Sequence, residues 1–477
     1  MQIGISVSRE DFFYDIHSLV KSFCPEDEVS IFSADDAEKS GRPYDRVIAV
    51  TVPDYPPERR RETKDALKRD LYLRLKEETG RELPWGMLSG IRPTRIPMSL
   101  MNEGGSFEDC VRHLKEHDFV SVKKARLAAE IAERERGILE ELPLGERSYS
   151  LYIHVPFCPT ICEYCTFSSS PAGVWKNRMG EYLDAVRREM AARRKRHAEE
   201  GFTGAPVSVY IGGGTPTALT AEELKVLLSS AAEIWDTDQA LEYTVEAGRP
   251  DSFSPEKLKV LREYGVTRIS VNPQTMNDET LKRIGRHHTS GDAERAFRMA
   301  REAGFENINM DIILGLPGEG RAEAEHTLAR IEALMPDSLT VHSLAVKRAS
   351  RLRYEILEDR MKDADADRGE FRGLRFDLPD EIMDLTHASA ARMGMRPYYL
   401  YRQKNMRGNL ENTGFAAPGR ECLYNILIME EVQTILAFGA GASTKYVKPG
   451  GVIEREVSPK DVNTYLDRNL KKYGSDC

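Results

Sequence analysis

The pattern of apolar and polar positions changes near residue 146. From Tyr149 onward, short apolar runs alternate with stretches whose apolar residues recur at helical spacing, which predicts alternating strands and helices and a parallel sheet. The six predicted strands are SLYIHV, VSVYIG, LEYTVEAG, RISVNPQ, NINMDIILGLP and SLTVHSLAV. The five predicted helices between them span 177–197, 221–234, 255–264, 291–303 and 322–334. Six such units predict an α/β fold, a partial (β/α)6 barrel.

The regions on either side of this repeat lack its regular alternation of strand and helix patterns. Residues 1–145 combine strand patterns (IGISV, VSIF and DRVIAVTV) with helical patterns near 12–23, 58–78, 107–117 and 122–137, which predicts an N-terminal α+β domain. We therefore expect three regions. They are the N-terminal α+β domain at 1–145, the partial barrel at 146–350 and a C-terminal mixed α/β extension at 351–477.

Composition and charge exclude several classes of protein. With 40% hydrophobic and 30% charged residues, the 477-residue chain is globular and not disordered. Lys plus Arg (68) minus Asp plus Glu (77) gives a net charge of −9, which argues against a nucleic-acid partner. The sequence contains neither an apolar run long enough for a membrane span nor a signal-peptide pattern at its start, so we expect a cytoplasmic protein.

Three of the seven cysteines lie together, directly after the first predicted strand. Cys158, Cys162 and Cys165 have C-x3-C-x2-C spacing in YIHVPFCPTICEYCTF. Three soft ligands on one loop suit an iron–sulfur cluster, and a cluster held by three thiolates keeps one iron open for reaction. The alternative is a zinc site completed by His154, although that histidine lies within the strand. The remaining cysteines have no partner spacing. Cys24, Cys110 and Cys422 are interpreted as reduced, inert thiols, and Cys477, at the terminus, is given no role.

Further candidate residues follow the other strands. GGGTP at 212–216 ends the second strand, where glycines let a backbone approach a small ligand closely. Barrel enzymes gather their active-site groups at the C-terminal ends of successive strands. The same rule selects Glu246 after the third strand, Gln274 after the fourth, Asp311 in the fifth and Ala345 in the sixth. Arg286, after the fourth strand, joins this set. Alone, each of these charges would be read as a helix cap or a surface group.

The cysteine spacing, with Tyr164 before the last cysteine and GGGTP at the next strand end, resembles the signature of the radical S-adenosylmethionine (SAM) superfamily. The resemblance implies a [4Fe-4S] cluster on the three cysteines and SAM chelated to its open iron, where reductive cleavage yields a 5′-deoxyadenosyl radical. It also implies a set of residues that contact SAM. These are Tyr152, Tyr164, Gly213, Gly214, Thr215, Glu246, Gln274, Arg286, Asp311 and Ala345.

The motifs YIHVPFC, GGGTP, EAGRPD and DIILGLP are similar to those of the oxygen-independent coproporphyrinogen III oxidase group. The segments PWGMLSGIRPT, ISVNPQTMNDETLKRIGRHHT and YYLYRQKNMRGNLENTGFA resemble its HemZ-type branch, the coproporphyrinogen dehydrogenases, so that the resemblance covers nearly the whole chain. It implies oxidative decarboxylation of coproporphyrinogen III propionates to vinyl groups in haem biosynthesis. It further implies an electron donor such as flavodoxin or ferredoxin.

One position departs from that group. Its well-studied oxidases carry a further cysteine two positions after the third, where this chain has Phe167. Related haem-binding chaperones also lack that cysteine. Two alternatives therefore stand beside the oxidase: a haem-binding chaperone, and a radical SAM enzyme acting on another tetrapyrrole such as haem.

A porphyrinogen with four propionates needs cationic anchors and apolar walls. Two stretches have that composition and predict a substrate cavity that includes the C-terminal region; a solvated cationic face is the alternative for each. The first stretch contains Lys347, Arg348, Arg351 and Arg353. The second contains Tyr398, Tyr399, Tyr401, Arg402, Lys404 and Arg407.

Overall fold

The structure is a computed structural model. It describes residues 1–34, 43–90, 92–202, 204–345, 350–352, 354, 370–371, 374–375, 380–403 and 410–473. Among the described residues, no helix is both long enough and apolar enough to cross a membrane.

The N-terminal region begins with a three-stranded parallel sheet in the order β2-β1-β3. Its strands are β1 (Gln2–Val7), β2 (Glu28–Ser33) and β3 (Arg46–Val50), and its helices are α1 (Phe13–Phe23) and α2 (Arg60–Thr79). Ile3, Ile5 and Val7 alternate along β1 and are buried with the apolar faces of both helices in one core. The predicted helices near 12–23 and 58–78 are confirmed.

Three further helices, α3 (Arg95–Asn102), α4 (Phe107–Glu116) and α5 (Val122–Glu141), form a second core. Ser106 caps α4 in a capping box with Asp109, and the Ser121 side chain caps α5. Both caps stand where the sequence changes from a loop to a helical apolar repeat, which is why the predicted boundaries near 107 and 122 are confirmed.

The barrel region contains the six predicted strands, all parallel and in sequence order. They are β4 (Tyr149–Val155), β7 (Ser208–Gly213), β8 (Glu242–Gly248), β9 (Arg268–Gln274), β10 (Ile308–Leu314) and β11 (Ser338–Ser343). Two short strands, β5 (Phe157–Cys158) and β6 (Ser170–Pro171), frame the cysteine loop. The sheet remains open, as a partial barrel requires, and the predicted fold class is confirmed.

The helices of the barrel region begin and end within two residues of the five predicted ones. These are α7 (Met179–Glu199), α8 (Ala221–Trp235), α9 (Pro255–Glu263), α11 (Ser290–Glu302) and α12 (Arg321–Leu334). The sequence did not predict two short helices, α6 (Ala172–Trp175) and α10 (Asp278–Arg283). Buried apolar residues of strands and helices form the largest core of the molecule.

The C-terminal region extends the barrel sheet at both of its edges. Antiparallel β15 and then β14 follow β11 at one edge, and at the other β16 pairs parallel with β4 and is followed by β17 and β18. These strands are β14 (Arg396–Tyr401), β15 (Asn412–Ala416), β16 (Thr434–Phe438), β17 (Ser443–Lys448) and β18 (Val452–Val457). The other elements are a hairpin of β12 (Glu370–Phe371) and β13 (Leu374–Arg375), and the helices α13 (Asp380–Arg392), α14 (Leu423–Glu430) and α15 (Val462–Tyr473).

A buried ion pair joins the N-terminal helices to the C-terminal strands. Lys124 on α5 donates to Glu411 Oε1 at 2.6 Å, and both side chains are fully buried. The indole N–H of Trp85 donates to Glu411 Oε2 at 2.8 Å. Each oxygen of the carboxylate is thus matched by a donor, which a buried charge requires.

Lys124→Met should lower the midpoint of thermal unfolding, because Glu411 would remain buried without its cationic partner, at a cost of about 3–5 kcal/mol. Lys123→Met is the matched control, since Lys123 is part-exposed and pairs with Asp384 on the surface. The Lys124→Met, Glu411→Met double variant should recover part of the loss. Equal melting of wild type and Lys124→Met would show that the pair does not hold these regions together.

Candidate functional site

The pairing of β4 with β7 continues beyond both strands into the loops that carry the two motifs. Val155 and Gly213 are the last paired residues, and the Gly214 N–H then donates to the Val155 carbonyl at 2.8 Å. The Thr215 N–H donates to the Phe157 carbonyl at 2.7 Å. The cysteine loop and the glycine loop therefore start side by side at the C-terminal edge of the sheet.

This close approach requires glycine at two positions. Gly213 has φ of 110°, and a Cβ there would lie 2.1 Å from Cδ2 of His154. A Cβ on Gly214 would lie 2.6 Å from the Phe157 carbonyl oxygen. Gly213 and Gly214, which were predicted to admit a ligand, also let the two loops meet. A side chain at either position would occupy the space beside the cysteine loop.

The cysteine thiols have polar neighbours from two other strand ends. The Thr215 hydroxyl donates to Cys158 Sγ at 3.6 Å, and Arg249 Nη1 donates to Cys162 Sγ at 3.6 Å. Asp251 accepts two hydrogen bonds from Arg249, at 2.9 and 2.8 Å, and so fixes the guanidinium. Burial raises the pKa of the Cys158 thiol, as expected for a ligand that ionises only when it binds metal.

The predicted alternative of a single zinc ion finds little support in the geometry. Among the described residues, the three cysteines and His154 do not bring three ligand atoms within 4.8 Å of one another, whereas one tetrahedral ion needs such an arrangement. Burial lowers the pKa of His154 to about 4, and its ring packs beneath Gly213. A four-iron cluster is larger than one ion and suits thiols that are further apart, so the donor set fits a [4Fe-4S] cluster.

Two of the predicted carboxylates lie on β8 and β10, which flank β9 in the sheet, and they face a tyrosine hydroxyl and an imidazole. Glu246, at the end of β8, accepts a short hydrogen bond from the Tyr210 hydroxyl. Asp311, on β10, accepts a hydrogen bond of 2.6 Å from Asn309, and His342 Nε2 lies 3.9 Å from its other oxygen. The carboxylates are thus held by different kinds of partner.

Their pKa values move in opposite directions. Burial, together with the charge of Asp311, raises the pKa of Glu246 to about 7, despite hydrogen bonds from Tyr210 and the Gly213 N–H. Burial also opposes ionisation of Asp311, but the nearby imidazole of His342 and polar contacts with Asn309 and Thr340 outweigh it and lower the pKa of that group. One carboxylate is therefore ionised throughout the neutral range, while the other titrates within it.

Two more of the predicted groups follow the fourth barrel strand, Gln274 at the end of β9 and Arg286 just after α10. Gln274 has φ of 69°, a left-handed conformation that is strained for a side chain of this kind, and none of the described residues donates a hydrogen bond to its buried Oε1. Arg286 donates to the Tyr164 hydroxyl at 3.0 Å and to the Asn272 carbonyl at 2.7 Å. Arg286 thereby ties the cysteine loop to the fourth barrel strand.

The remaining predicted residues lie near the same edge. Tyr152 on β4 stacks with Tyr210, with ring centroids 6.1 Å apart, and so lies near Glu246. Ala345 follows the end of β11 and is half-buried. The structure thus brings most of the predicted residues into contact near this edge, with Asp311 held separately by Asn309 and His342. For Gln274 and Ala345 it establishes only their places at strand ends.

Some contacting residues were missed by the sequence analysis. Arg249 lies in EAGRPD, directly after the third strand, and its position beside an acidic residue could have indicated it. His342 carries no local signal. The Tyr401 hydroxyl, which the sequence analysis placed only in a possible substrate stretch, approaches His342 Nδ1 at 3.4 Å from β14, far along the chain. Their roles depend on how the C-terminal strands join the sheet.

The predicted cationic and aromatic stretches are described only in part. Lys347, Arg348, Arg353, Lys404, Arg407 and the terminal Cys477 lie outside the described residues. Arg402 is buried, where its guanidinium donates to the Leu88 carbonyl at 2.6 Å and faces the Trp85 ring, so its prediction as a propionate anchor is wrong. Tyr398 is also buried, accepting a hydrogen bond from Asn425, and belongs to the core.

The Radical SAM superfamily matches residues 152–331. The chain is 41% identical over 401 residues to the oxygen-independent coproporphyrinogen-III oxidase-like protein HemZ of Bacillus subtilis, covering 83% of this chain and 77% of that protein. It is 33% identical to the heme chaperone HemW of the same organism, covering 68% of this chain and 76% of that one. The chain therefore belongs to the HemZ- and HemN-like family of the radical SAM superfamily.

Among solved structures, coproporphyrinogen III oxidase (HemN) from Escherichia coli superposes with a TM-score of 0.53 at 23% identity, over 71% of this chain and 73% of that one. This likeness confirms the fold. Membership of the superfamily implies a [4Fe-4S] cluster and SAM as the cofactors.

Replacing Cys158, Cys162 or Cys165 with Ala should abolish the visible absorbance of the reconstituted protein, because each removes one of the thiolates available on this loop. Iron and sulfide content measure the loss. Cys422→Ala is the control, since that buried thiol donates to Glu242 far along the chain from the loop. A Cys162→Ala protein with full iron content would contradict the assignment.

The affinity for SAM should rise with pH through about 7, because the pKa of Glu246 is raised to about 7 and only its ionised form accepts hydrogen bonds at both oxygens. Between pH 8 and pH 6 we expect the affinity to fall about tenfold, following the carboxylate fraction. Equilibrium dialysis of the cluster-loaded protein measures it.

Glu246→Gln should bind SAM weakly and with little dependence on pH, whereas Glu222→Gln, an exposed position on α8, should retain the wild-type profile. An unchanged pH profile in Glu246→Gln would assign the titration to another group.

Proposed function

We propose that the protein catalyses the oxygen-independent oxidative decarboxylation of two propionates of coproporphyrinogen III, forming the vinyl groups of protoporphyrinogen IX. When bound, the [4Fe-4S] cluster and SAM supply a 5′-deoxyadenosyl radical that takes a hydrogen atom from the β-carbon of a propionate. Loss of CO2, with one electron passing to a one-electron acceptor, leaves the vinyl group. An electron carrier of the flavodoxin or ferredoxin class is the proposed reductant.

The observation that carries this proposal is the extent of the likeness to the Bacillus subtilis oxidase-like protein. The alignment covers 401 residues, far more than the barrel alone, and therefore includes the flanking regions from which this chain builds the rest of the site. The Escherichia coli oxygen-independent coproporphyrinogen III oxidase is 31% identical over 42% of this chain. The proposal extends the reaction named for that protein to this chain.

In this proposal the contact network at the strand ends binds the cofactors. Cys158, Cys162 and Cys165 hold the cluster, and Arg249 donates to a cluster thiolate, where a cation favours the reduced state. The remaining groups bind SAM. They are Tyr152, Tyr164, Gly213, Gly214, Thr215, Glu246, Gln274, Arg286, Asp311 and Ala345.

A set of tyrosines supports a flat apolar ligand beside these carboxylates. Tyr152, Tyr210 and Tyr424 stack on one another, with ring centroids 4.5 to 6.1 Å apart, and the Tyr210 hydroxyl donates to Glu246. From the other edge of the sheet, Tyr399 and Tyr401 stack at 6.1 Å, and Tyr401 approaches the imidazole beside Asp311. Aromatic faces suit a tetrapyrrole, whose rings are large and apolar.

The described part of the basic stretch after β11 contacts the cysteine loop through Leu352. The Leu352 N–H donates to the Glu163 carbonyl at 2.9 Å, and the Leu352 side chain packs in a small core that Tyr164 borders. The neighbouring Arg351 is exposed. We assign Arg351 to a substrate propionate, because its chain position keeps a cation close to the loop that holds the cluster.

Anaerobic incubation of the cluster-loaded protein with SAM, reductant and coproporphyrinogen III tests the reaction. Mass analysis should detect a product lighter by CO2 and two hydrogens for each propionate, released in step with 5′-deoxyadenosine. Arg351→Ala should raise KM for the porphyrinogen about tenfold, because it removes one charged hydrogen bond to a propionate. Cleavage of SAM in the absence of substrate should be unchanged.

Two controls make this result specific. Cys162→Ala should produce neither product, and Arg321→Ala, at an exposed arginine that pairs with Glu325 on α12, should behave as wild type. If the protein cleaves SAM but leaves the added porphyrinogen unchanged, the cofactor assignment stands and the proposed substrate is refuted.

A haem-binding chaperone is the second candidate. The 33% identity to the Bacillus subtilis heme chaperone and the exposed Phe167, which stands where the well-studied oxidases carry a further cysteine, favour it. This candidate requires stoichiometric haem binding with no tetrapyrrole turnover under the same reducing, anaerobic conditions. Measuring bound haem by absorbance in the same samples separates the two functions.

A further inference from the structure

A second group of metal-ligand side chains lies in the N-terminal region, at the C-terminal end of α4. His113 and His117 are one helical turn apart, and Asp118 follows directly. Their ligand atoms all lie within 4.8 Å of one another, and no other such group of histidine, cysteine and acidic side chains occurs among the described residues. None of the three belongs to the proposed cofactor site.

The distances approach those of a coordination sphere. His117 Nδ1 lies 3.1 Å from Asp118 Oδ1, and His113 Nε2 lies 3.7 Å from Asp118 Oδ2. Zinc binds imidazole and carboxylate at about 2.0–2.2 Å, so ligand atoms around a tetrahedral ion are roughly 3.4 Å apart. The stacked imidazole rings, with centroids at 4.8 Å, need only rotate to point their nitrogens at one ion.

The carboxylate of Asp118 carries the strongest sign of a missing ligand. The residue is only 4% exposed, yet within the described parts of the chain no group donates a hydrogen bond to its Oδ2. A buried carboxylate oxygen without a donor is costly. His117 is exposed, so an ion can reach this oxygen from solvent.

The backbone around Asp118 is held in place by other contacts. Its carbonyl accepts the Met87 N–H at 2.9 Å, and the following Phe119 has φ of 58°. The Phe119 ring stacks on Tyr72 at 4.9 Å and lies under the guanidinium of Arg69. The side chain of Asp118 is thus presented by a rigid turn between the first two cores.

We propose that His113, His117 and Asp118 bind one divalent transition-metal ion, with Zn²⁺ as the preferred ion and water completing the coordination. Two histidines at i and i+4 on one helix present both imidazoles to a single ion, and an aspartate is a common third ligand. The ion would join α4 to the turn that packs on Tyr72 and Met87, and so stabilise the contact between the two N-terminal cores.

Zinc binding to the anaerobic, cluster-loaded protein tests this proposal, because a bound cluster keeps the cysteine thiolates from competing for the metal. Equilibrium dialysis followed by metal analysis should find about one zinc per chain, the number that the three-ligand site accommodates. X-ray absorption at the zinc edge should reveal a first shell of nitrogen and oxygen only. Zinc should also raise the melting temperature of the wild type.

His117→Ala and Asp118→Asn should each weaken zinc binding at least about tenfold and remove the melting shift, without loss of iron. His117 is exposed and Asn preserves the shape of Asp, so both variants should fold. His326→Ala is the control, since that histidine is exposed on α12 and belongs to no ligand group among the described residues.

Three results would overturn the proposal: a wild type that retains no zinc, a zinc shell that contains sulfur, or variants that bind zinc as tightly as the wild type. None of them bears on the decarboxylation reaction, so the two proposals stand or fall separately.

Discussion

The main-chain pairing of β4 with β7 is the constraint on which the site depends. It continues past the ends of both strands, from Val155 with Gly213 into the hydrogen bonds that Gly214 and Thr215 donate. Because these bonds are between backbones, they fix the relative position of the cysteine loop and the glycine loop before any side chain contributes. The side chains of Thr215 and Arg249 then have a set of thiols within reach. Any change that separates the two backbones would separate the two halves of the site.

The same edge of the sheet concentrates polar groups that are costly to bury. Glu246 accepts a hydrogen bond from Tyr210, Asp311 accepts one from Asn309, and Arg286 donates to the Tyr164 hydroxyl and to a main-chain carbonyl. Among the described contacts, none of the three forms an ion pair with another. This arrangement leaves their charges available to a ligand and costs stability in its absence, as is usual where function and folding compete. The unpartnered Oε1 of Gln274 and the left-handed backbone beneath it belong to the same pattern.

The sequence predicted those features that are encoded locally. Cysteine spacing, the glycine loop and the alternation of strands with helices depend on neighbours a few residues apart, and the barrel helices were placed within two residues. Contacts made by strands that join the sheet from far along the chain carry no such signal, which is why His342 and its contact with Tyr401 were missed. Arg402 demonstrates the limit of composition: a cation in an aromatic stretch suggested a cavity, but its guanidinium faces Trp85 and the Leu88 carbonyl.

The pairing of β16 with β4 has a consequence for how the chain is made. β4 ends at residue 155 and β16 begins at residue 434, so the ribosome adds roughly 280 residues between them, which takes about a quarter of a minute to a minute. During that interval one hydrogen-bonding edge of β4 lacks the strand that later covers it, and exposed edges of apolar strands are prone to aggregate. The loop that follows this strand carries all three cysteines. During synthesis the three thiols and the uncovered edge of β4 are therefore exposed at the same time. The thiols must be kept available for metal, and the strand edge kept from aggregating, within the same interval.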